Sequence, residues 1–183
     1  MGKVLGVLGG MGPAATVAFL ARVQALTPAE VDQDHIRILA DINPQVPDRQ
    51  RAPDAAEARL GQMAMRLRDA GAQVLAMPCN TAHALTAGIR KVGLPFIDMI
   101  AETAGAAAAD GAKKIGVLAT PGGEALYTRA LQAKGVKIVR LAGAEVVIAG
   151  CTEVPLLLEA GDVSAPLVDS AEVLAAACVK ACA

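Results

Sequence analysis

The chain has 183 residues, of which 54% are hydrophobic and 19% charged, and its net charge is −1. This composition excludes a disordered chain, and a near-neutral charge with few aromatic residues argues against binding nucleic acid or an anionic membrane. The apolar runs are strand-length and interrupted by glycine, so none predicts a membrane span.

Four cysteines without closely spaced pairs are typical of reduced thiols, and they do not form a disulfide framework pattern. The N-terminus has a single lysine, Lys3, followed directly by a glycine-rich segment, which is not the pattern of a signal peptide. We therefore expect a cytoplasmic protein.

Strands and helices alternate along the chain, which predicts an α/β fold. The predicted strands are Lys3–Leu8, Ile36–Ile42, the run that ends before Cys79, Val92–Asp98, Ile115–Ala119, Val136–Leu141, Ala144–Ala149 and Pro166–Val168. The predicted helices are Ala14–Leu26, Ala55–Ala70 with Gly71 as its C-cap, Ala101–Ala109, a helix that ends near Ala133, and a last helix that Asp169 and Glu172 begin as a capping box.

The glycine-rich turn Gly9–Pro13 follows the first strand, and its backbone N–H groups could hold an anion. Its G-x-G-x-x-A pattern matches part of a dinucleotide site, but Asp41 lies 29 residues after Gly12, farther than the usual spacing of about 20. We therefore favour a small carboxylate, with Met11 lining its pocket. A tight turn without a ligand is the alternative.

A stiff loop with two prolines, Asn43–Arg49, follows the second strand. It places Arg49 at the carboxyl side of the strand, where a guanidinium can bind a carboxylate with two hydrogen bonds. The alternative is a solvated loop charge, which is how we interpret Arg51.

Two cysteines that end apolar strands are the main chemical clue. Cys79 follows the run Val74–Met77, and Cys151 follows Val146–Ala149 and a glycine. The carboxyl edge of an open α/β sheet is where ligands bind. We expect a helix to begin just behind Cys79 and to lower the pKa of its thiol through the helix dipole.

The remaining cysteines and one histidine have simpler interpretations. Cys178 and Cys182 lie on the predicted last helix and are expected to be inert packing residues. His83 lies about one helical turn past Cys79, where it could either tune the thiol or make a structural hydrogen bond.

Three features recur in the same order in both halves of the chain, which predicts two similar units facing each other. Gly6–Leu8 matches Gly116–Leu118, each cysteine is followed by small polar residues, and Pro95–Asp98 matches Pro166–Asp169. The cysteine-to-proline spacings are 16 and 15 residues. We therefore expect one thiol from each unit at a shared cleft.

The second unit is shorter than the first. Gly6 and Cys79 are 73 residues apart, whereas Gly116 and Cys151 are 35 apart, a shortfall of 38. A parallel crossover needs about a dozen residues or more, and the predicted strands leave too few between Leu141 and Ala144. Either these strands form a hairpin or a crossover helix is missing, and we favour the second.

Two thiols at one cleft could form a redox pair, a metal site or a two-base proton-transfer pair. A metal site would need more ligands than two histidines and no CxxC motif provide, and a disulfide needs Cα atoms within about 7 Å. Proton transfer uses the arrangement most fully, because one thiolate abstracts a proton while the opposing thiol delivers one. Asn80, Thr81 and Thr152 could then bind a substrate carboxylate.

The motifs together resemble those of the aspartate/glutamate racemase family, from Lys3 almost to the C-terminus. They are Gly9–Pro13, Asn43 through Arg49, Pro78–His83 and Gly150–Leu157. The resemblance implies two pseudo-symmetric α/β domains, each with a mostly parallel sheet flanked by helices. It also implies amino-acid racemisation that needs no cofactor, neither pyridoxal phosphate nor a metal, in the cleft between the domains.

The resemblance also assigns roles to individual residues. Cys79 and Cys151 would be the catalytic bases, and Arg49 would bind the side-chain carboxylate of aspartate-type substrates. Glu153 stands where glutamate racemases have histidine, which also favours aspartate. The expected substrate-binding residues are Met11, Asn43, Arg49, Asn80, Thr81, Thr120 and Thr152.

The chain departs from the family after Leu141, where members carry more sequence, including a lysine that assists the distal carboxylate. No residue here can take that role. The alternatives to a racemase are therefore a cleft enzyme like maleate isomerase or arylmalonate decarboxylase, or a carboxylate-binding protein whose catalysis is impaired by the missing segment.

The predicted organisation is a first domain over 1–98, joined by the C-terminal helix at about 169–183, and a truncated second domain over 99–168. The expected partner is a small acidic amino acid, with no nucleic acid and no membrane. The resemblance implies a homodimer.

Overall fold

The computed structural model describes residues 2–158 and 161–183, which contain two four-stranded sheets in which all neighbouring strands are parallel. The strands are β1 (Leu5–Gly9), β2 (Ile38–Ile42), β3 (Val74–Ala76), β4 (Phe96–Ile97), β5 (Lys114–Leu118), β6 (Lys137–Ile138), β7 (Val146–Ala149) and β8 (Leu167–Asp169). The helices are α1 (Pro13–Leu26), α2 (Pro53–Asp69), α3 (Ala87–Arg90), α4 (Met99–Ala107), α5 (Pro121–Gln132) and α6 (Ser170–Cys182).

The two sheets have the same strand order, which confirms the predicted α/β fold. The first sheet runs β2-β1-β3-β4 and the second β6-β5-β7-β8. The apolar runs are buried on both faces, as expected of parallel sheets covered by helices. Several strands are shorter than predicted, and the strand predicted over Val136–Leu141 is reduced to Lys137–Ile138.

The core of the first sheet follows from the alternation of side chains along its strands. Leu5 and Val7 of β1 face Phe19 of α1 and Leu174 of α6 in one buried cluster. Residues of the opposite face, among them Leu8, pack against α2 in a second cluster. A third cluster lies in the second sheet, where β5 and β7 pack against α4 and α5.

The segment between β6 and β7 is neither a hairpin nor a strained join. Both strands pair in parallel with β5, on opposite sides of it. The connection between β6 and β7 is a short 3₁₀ turn at Leu141–Gly143, whereas α2 makes the equivalent connection in the first sheet. No residue of the turn has a positive φ. The hairpin alternative is therefore wrong. The expectation that too few residues remain for a parallel crossover is also wrong, because residues 139–145 make one without an α-helix.

Glycine at position 116 makes this short crossing possible. A Cβ on Gly116 would lie 2.9 Å from Leu141 Cδ2 and 3.1 Å from the Ala144 Cβ. The turn therefore packs directly on the backbone of β5, without the layer of side chains that a helix would need. The corresponding glycine of the first half, Gly6, is covered in the same way by side chains near the end of α2 and beyond it.

The repeat seen in the sequence places an aspartate at the start of a helix in both halves. Asp98 accepts hydrogen bonds from the N–H groups of Ile100 and Ala101, and Asp169 accepts them from the two residues that follow Ser170. The predicted capping box is only half present. The Glu172 carboxylate lies 3.3 Å from Arg22 Nε and does not accept the N–H of Asp169.

Helix α6 packs against α1 and α4, although it follows the last strand of the second sheet. Its buried side chains belong to the same cluster as those of β1 and β3. The predicted domain boundaries at 98 and 168 stay a prediction. Among the described residues, no helix has both the length and the apolar character needed to cross a membrane.

Candidate active site

A cavity of about 210 Å³ lies beyond the carboxyl ends of the central strands of both sheets. That volume is smaller than the roughly 300–1,000 Å³ of sites for drug-sized ligands, so the cavity suits a small molecule. Eight of the nine predicted site residues line it. The lining residues are Gly10, Met11, Gly12, Arg49, Cys79, Asn80, Thr81, Thr120, Cys151, Thr152 and Glu153.

Cys79 follows β3 by three residues and is buried, with 5% of its surface exposed. The helix predicted just behind Cys79 is not one continuous α-helix. The segment Thr81–Leu85 is a 3₁₀ helix, and the four-residue α3 follows it. Burial raises the pKa of the Cys79 thiol, and an N–H from Ala82 and the Arg49 guanidinium lower it only in part. The predicted fall in pKa is therefore wrong, since desolvation of the thiolate dominates.

Cys151 lines the same cavity and is half-buried. It follows β7 by two residues, and the segment behind it is again a 3₁₀ helix, Val154–Leu156. Both thiols are free, as are Cys178 and Cys182, which are buried in α6 outside the cavity. The predicted pairing of one thiol from each half at a common cavity is thus present.

Two opposite charges line the cavity beside the thiols. Arg49 lines the cavity, and its Nε is buried and has no hydrogen-bond partner among the described residues. Glu153 approaches the glycine-rich turn from the other side, because a Cβ on Gly12 would lie 2.9 Å from its Oε1. No lysine is among the described residues that line the cavity.

The glycine-rich turn forms one wall, but part of its backbone is already used. Thr16 Oγ1 accepts the Gly10 N–H at 2.9 Å and donates to the Gly12 carbonyl at 2.9 Å. Gly10 has a φ of +97° and packs against the backbone of Asn43, which requires glycine at this position. The interpretation that all the N–H groups of this turn face an anion is therefore wrong for Gly10.

Three threonines of the predicted carboxylate site reach the cavity from both halves of the chain. The hydroxyls of Thr81 and Thr120 are 2.9 Å apart, and Thr120 also accepts the Gly123 N–H at the start of α5. Thr152 is buried beside Cys151. Asn43 is the predicted site residue that does not line the cavity, because its side-chain oxygen accepts the N–H of Gln45 in a local turn.

His83 supports the Cys79 loop and does not line the cavity. Its Nδ1–H donates to the Cys79 carbonyl at 2.8 Å, and its Nε2 accepts the Met99 N–H at 3.1 Å. Burial lowers the pKa of His83, so the ring is neutral at pH 7. Of the two roles considered for His83, the structure shows the structural hydrogen bond.

The lining residues outside the predicted site set are Gly10, Gly12 and Glu153, and Tyr127 lies behind the cavity. The glycines belong to the glycine-rich turn that the sequence indicated, but they were not predicted as residues that line the cavity. Tyr127, on α5, is fully buried and donates to Asn80 beside Cys79. Its one sequence signal is that it is the only tyrosine in the chain. Among the described residues, no three His, Cys, Asp or Glu side chains are grouped as metal ligands would be.

Comparison of the chain with known proteins finds a matching family and two similar relatives. The profile of the family described as Asp/Glu/hydantoin racemase matches residues 8–142. The chain is 30% identical over 145 residues to the broad specificity amino-acid racemase RacX of Bacillus subtilis, covering 74% of this chain and 63% of that protein. It is 32% identical over 154 residues to the glutamate racemase of Pseudomonas entomophila, covering 82% of this chain and 54% of that protein. The chain thus spans less than two thirds of the length of either relative.

Solved structures show the same fold. The aspartate racemase of Picrophilus torridus is similar with a TM-score of 0.85 and 27% identity, covering 98% of this chain and 94% of that chain. The glutamate racemase isoform RacE1 of Bacillus anthracis has a TM-score of 0.75 at 22% identity, covering 97% of this chain and 80% of that chain. The two parallel sheets flanked by helices match the two-domain α/β fold of these racemases.

Proposed function

The chain belongs to the Asp/Glu/hydantoin racemase family, and from the geometry of its cavity we propose that it racemises an acidic amino acid, aspartate or glutamate, with two cysteines as acid and base. The observation that carries this proposal is that Cys79 and Cys151, one from each half, line the same small cavity as Arg49. The reaction would need no cofactor, because the thiols themselves move the proton.

The arginine that lines the cavity supports an acidic substrate. The guanidinium of Arg49 can pair with a carboxylate through two hydrogen bonds, which is its preferred geometry. The hydroxyls of Thr81, Thr120 and Thr152 provide a second polar cluster for another carboxylate. A dicarboxylic amino acid satisfies both clusters at once, and aspartate is the smaller of the two candidates.

Racemisation requires one thiol and one thiolate at the same time. In one direction a thiolate removes the Cα proton from one face, the electron pair passes into the carboxylate as an enolate, and the opposing thiol returns a proton to the other face. The raised pKa of Cys79 keeps its thiol protonated in the free protein at neutral pH. We propose that Cys79 is the proton donor in the first turnover and the base in the reverse direction.

The test is exchange of the Cα hydrogen of aspartate with solvent in D₂O, followed by mass spectrometry and chiral chromatography. Cys79→Ala and Cys151→Ala are each expected to lower the racemisation rate by about 10²- to 10⁴-fold, the range for removing one acid–base group. Cys178→Ala is the matched control, because that buried cysteine lies outside the cavity. Wild-type protein that exchanges no acidic amino acid contradicts the proposal.

The same assay separates the alternatives. Products from maleate or from a substituted malonate, without exchange of aspartate, would identify a cleft enzyme with another reaction. Aspartate binding in calorimetry, without exchange, would identify a carboxylate-binding protein whose second domain lacks the crossover helix.

Three broader proposals rest on the sequence and on the resemblance. We propose that the protein is a homodimer in the cytoplasm, with the domain division at residues 98 and 168. Sedimentation equilibrium tests the dimer, cell fractionation tests the location, and limited proteolysis tests the domain boundaries.

A further inference from the structure

One buried side chain touches the residues next to both thiols. Tyr127 on α5 is fully buried, and its hydroxyl donates to Asn80 Oδ1 at 2.5 Å, immediately after Cys79 in the chain. Its ring packs on the backbone just before Cys151, since a Cβ on Gly150 would lie 2.8 Å from Tyr127 Cε2. Tyr127 therefore connects the two cysteine-bearing loops without lining the cavity itself.

The hydrogen bonds continue from Asn80 to the strand that leads to Cys151. Asn80 Nδ2 donates to Ser170 Oγ at 3.1 Å, and the Ser170 hydroxyl donates to the Ala149 carbonyl at 2.7 Å. Ala149 is the last residue of β7, two positions before Cys151. A single buried chain of donors and acceptors thus runs from α5, past Cys79, to the end of β7.

The direction of every bond in this chain is determined. Ser170 has one hydroxyl proton, which goes to the Ala149 carbonyl, so Ser170 can only accept from Asn80. The amide must then present its N–H₂ group to Ser170 and its oxygen to Tyr127. Burial raises the pKa of the Tyr127 hydroxyl far above neutral pH, so the hydroxyl keeps the proton that it donates.

We propose that this chain sets the separation and facing of the two thiols, and that Tyr127 is a positioning residue for proton transfer; the catalytic part of the inference rests on the proposed racemase function. Asn80 thus links Tyr127 to Ser170 through its oxygen and its amide nitrogen, and its side chain belongs to a residue that lines the cavity. Proton transfer across a substrate is sensitive to misplacement, and a shift of about 1 Å can lower a rate by about 100-fold.

The first experiment uses Tyr127→Phe, which removes one oxygen and keeps the ring against Gly150. We expect kcat for Cα exchange of aspartate to fall by about 100-fold while KM changes by less than about threefold. In an Asn80→Ala background the same substitution should cause no additional loss, because Tyr127 acts through Asn80. Thr27→Val is the control, since it removes a hydroxyl that donates to a backbone carbonyl in α1, away from the cavity.

The second experiment measures thiol separation without using catalysis. Dibromobimane bridges two thiols held close together, and mass spectrometry identifies the Cys79–Cys151 bridge. We expect bridging in the wild type and in Thr27→Val, and a clear loss of bridging in Tyr127→Phe, with single alkylation of each cysteine unchanged. Should Tyr127→Phe fail to fold by circular dichroism, Ser170→Ala breaks the same chain at its other end and is expected to give the same loss.

The two experiments distinguish the outcomes. Bridging that is equal in Tyr127→Phe and wild type overturns the positioning role, whatever the exchange rates are. Lost bridging with wild-type kcat overturns the link between thiol separation and proton transfer. Lost bridging in a protein whose wild type exchanges no amino acid supports the positioning role and overturns the racemase function instead.

Discussion

Burial raises the pKa of the Cys79 thiol, and the Arg49 guanidinium on the same cavity wall partly lowers it again. The two side chains come from different loops, Cys79 after β3 and Arg49 after β2. Arg49 thus stabilises the Cys79 thiolate, and its own Nε is buried without a hydrogen-bond partner among the described residues. This relationship leads to the first prediction.

Replacing Arg49 should lower the affinity for acidic substrates more than for neutral ones. We expect Arg49→Met to raise KM for aspartate by about 10- to 100-fold, the size of a lost hydrogen bond to a charged group. KM for alanine, which has no side-chain carboxylate, should change little. The measurement is steady-state kinetics with both amino acids, and Arg51→Met, an exposed neighbour, is the control. Equal losses for aspartate and alanine would mean that Arg49 binds the α-carboxylate.

Removing the charge of Glu153 should move the alkaline limb of the pH profile. In the proposed mechanism the active form has one proton on the cysteine pair, and this proton leaves at a macroscopic pKa governed by Cys79. Burial is the main cause of the raised Cys79 pKa, and the Glu153 carboxylate raises it further. Glu153→Gln should therefore lower that pKa and shift the alkaline limb of kcat/KM down by about 0.5 pH unit.

The control for this shift is Glu124→Gln, which removes an exposed carboxylate in the first turn of α5. It should leave the alkaline limb where it is in the wild type. A limb that moves upward in Glu153→Gln would mean that Glu153 does not act on Cys79 through its charge.

The buried His83 should make the fold less stable in weak acid. Burial lowers the pKa of His83 below its ordinary 6.5, so the unfolded chain takes up a proton before the folded one as pH falls. The free energy of unfolding should decrease as pH drops below about 6.5 and be constant above it as far as His83 is concerned. Urea unfolding between pH 5 and pH 8 measures this slope, and His83→Gln should reduce it. His35→Gln is the comparison, and a slope that persists unchanged in His83→Gln contradicts the prediction.

The short crossing over β5 should depend on glycine at position 116. We expect Gly116→Val to lower the free energy of unfolding by about 1–3 kcal/mol, because the added methyl groups meet Leu141 and Ala144. Gly143→Ala is the matched control in the same turn, where a Cβ meets nothing within 4 Å, and it should change stability by less than about 1 kcal/mol. Equal stability of both variants in urea would show that the turn moves freely away from β5.

Local chemistry was sufficient to predict the elements and the positions of the chemical groups. Apolar runs interrupted by glycine predict buried parallel strands, because such strands must bury both faces. The sequence correctly predicted Asp169 as a helix cap, since a cap depends on its own neighbours, and the matching Asp98 caps α4 in the first half. The same repeat placed one thiol at the end of a central strand in each sheet.

Contacts between distant parts of the chain decided the rest. The pKa of Cys79 rises because packing removes the thiol from water, and no local pattern reports the degree of burial. Tyr127 meets Asn80 across 47 residues of sequence. The sequence by itself therefore determined which groups are present and on which edge they lie. The tertiary structure alone decided which of them meet, because burial and separation depend on how the two sheets pack together.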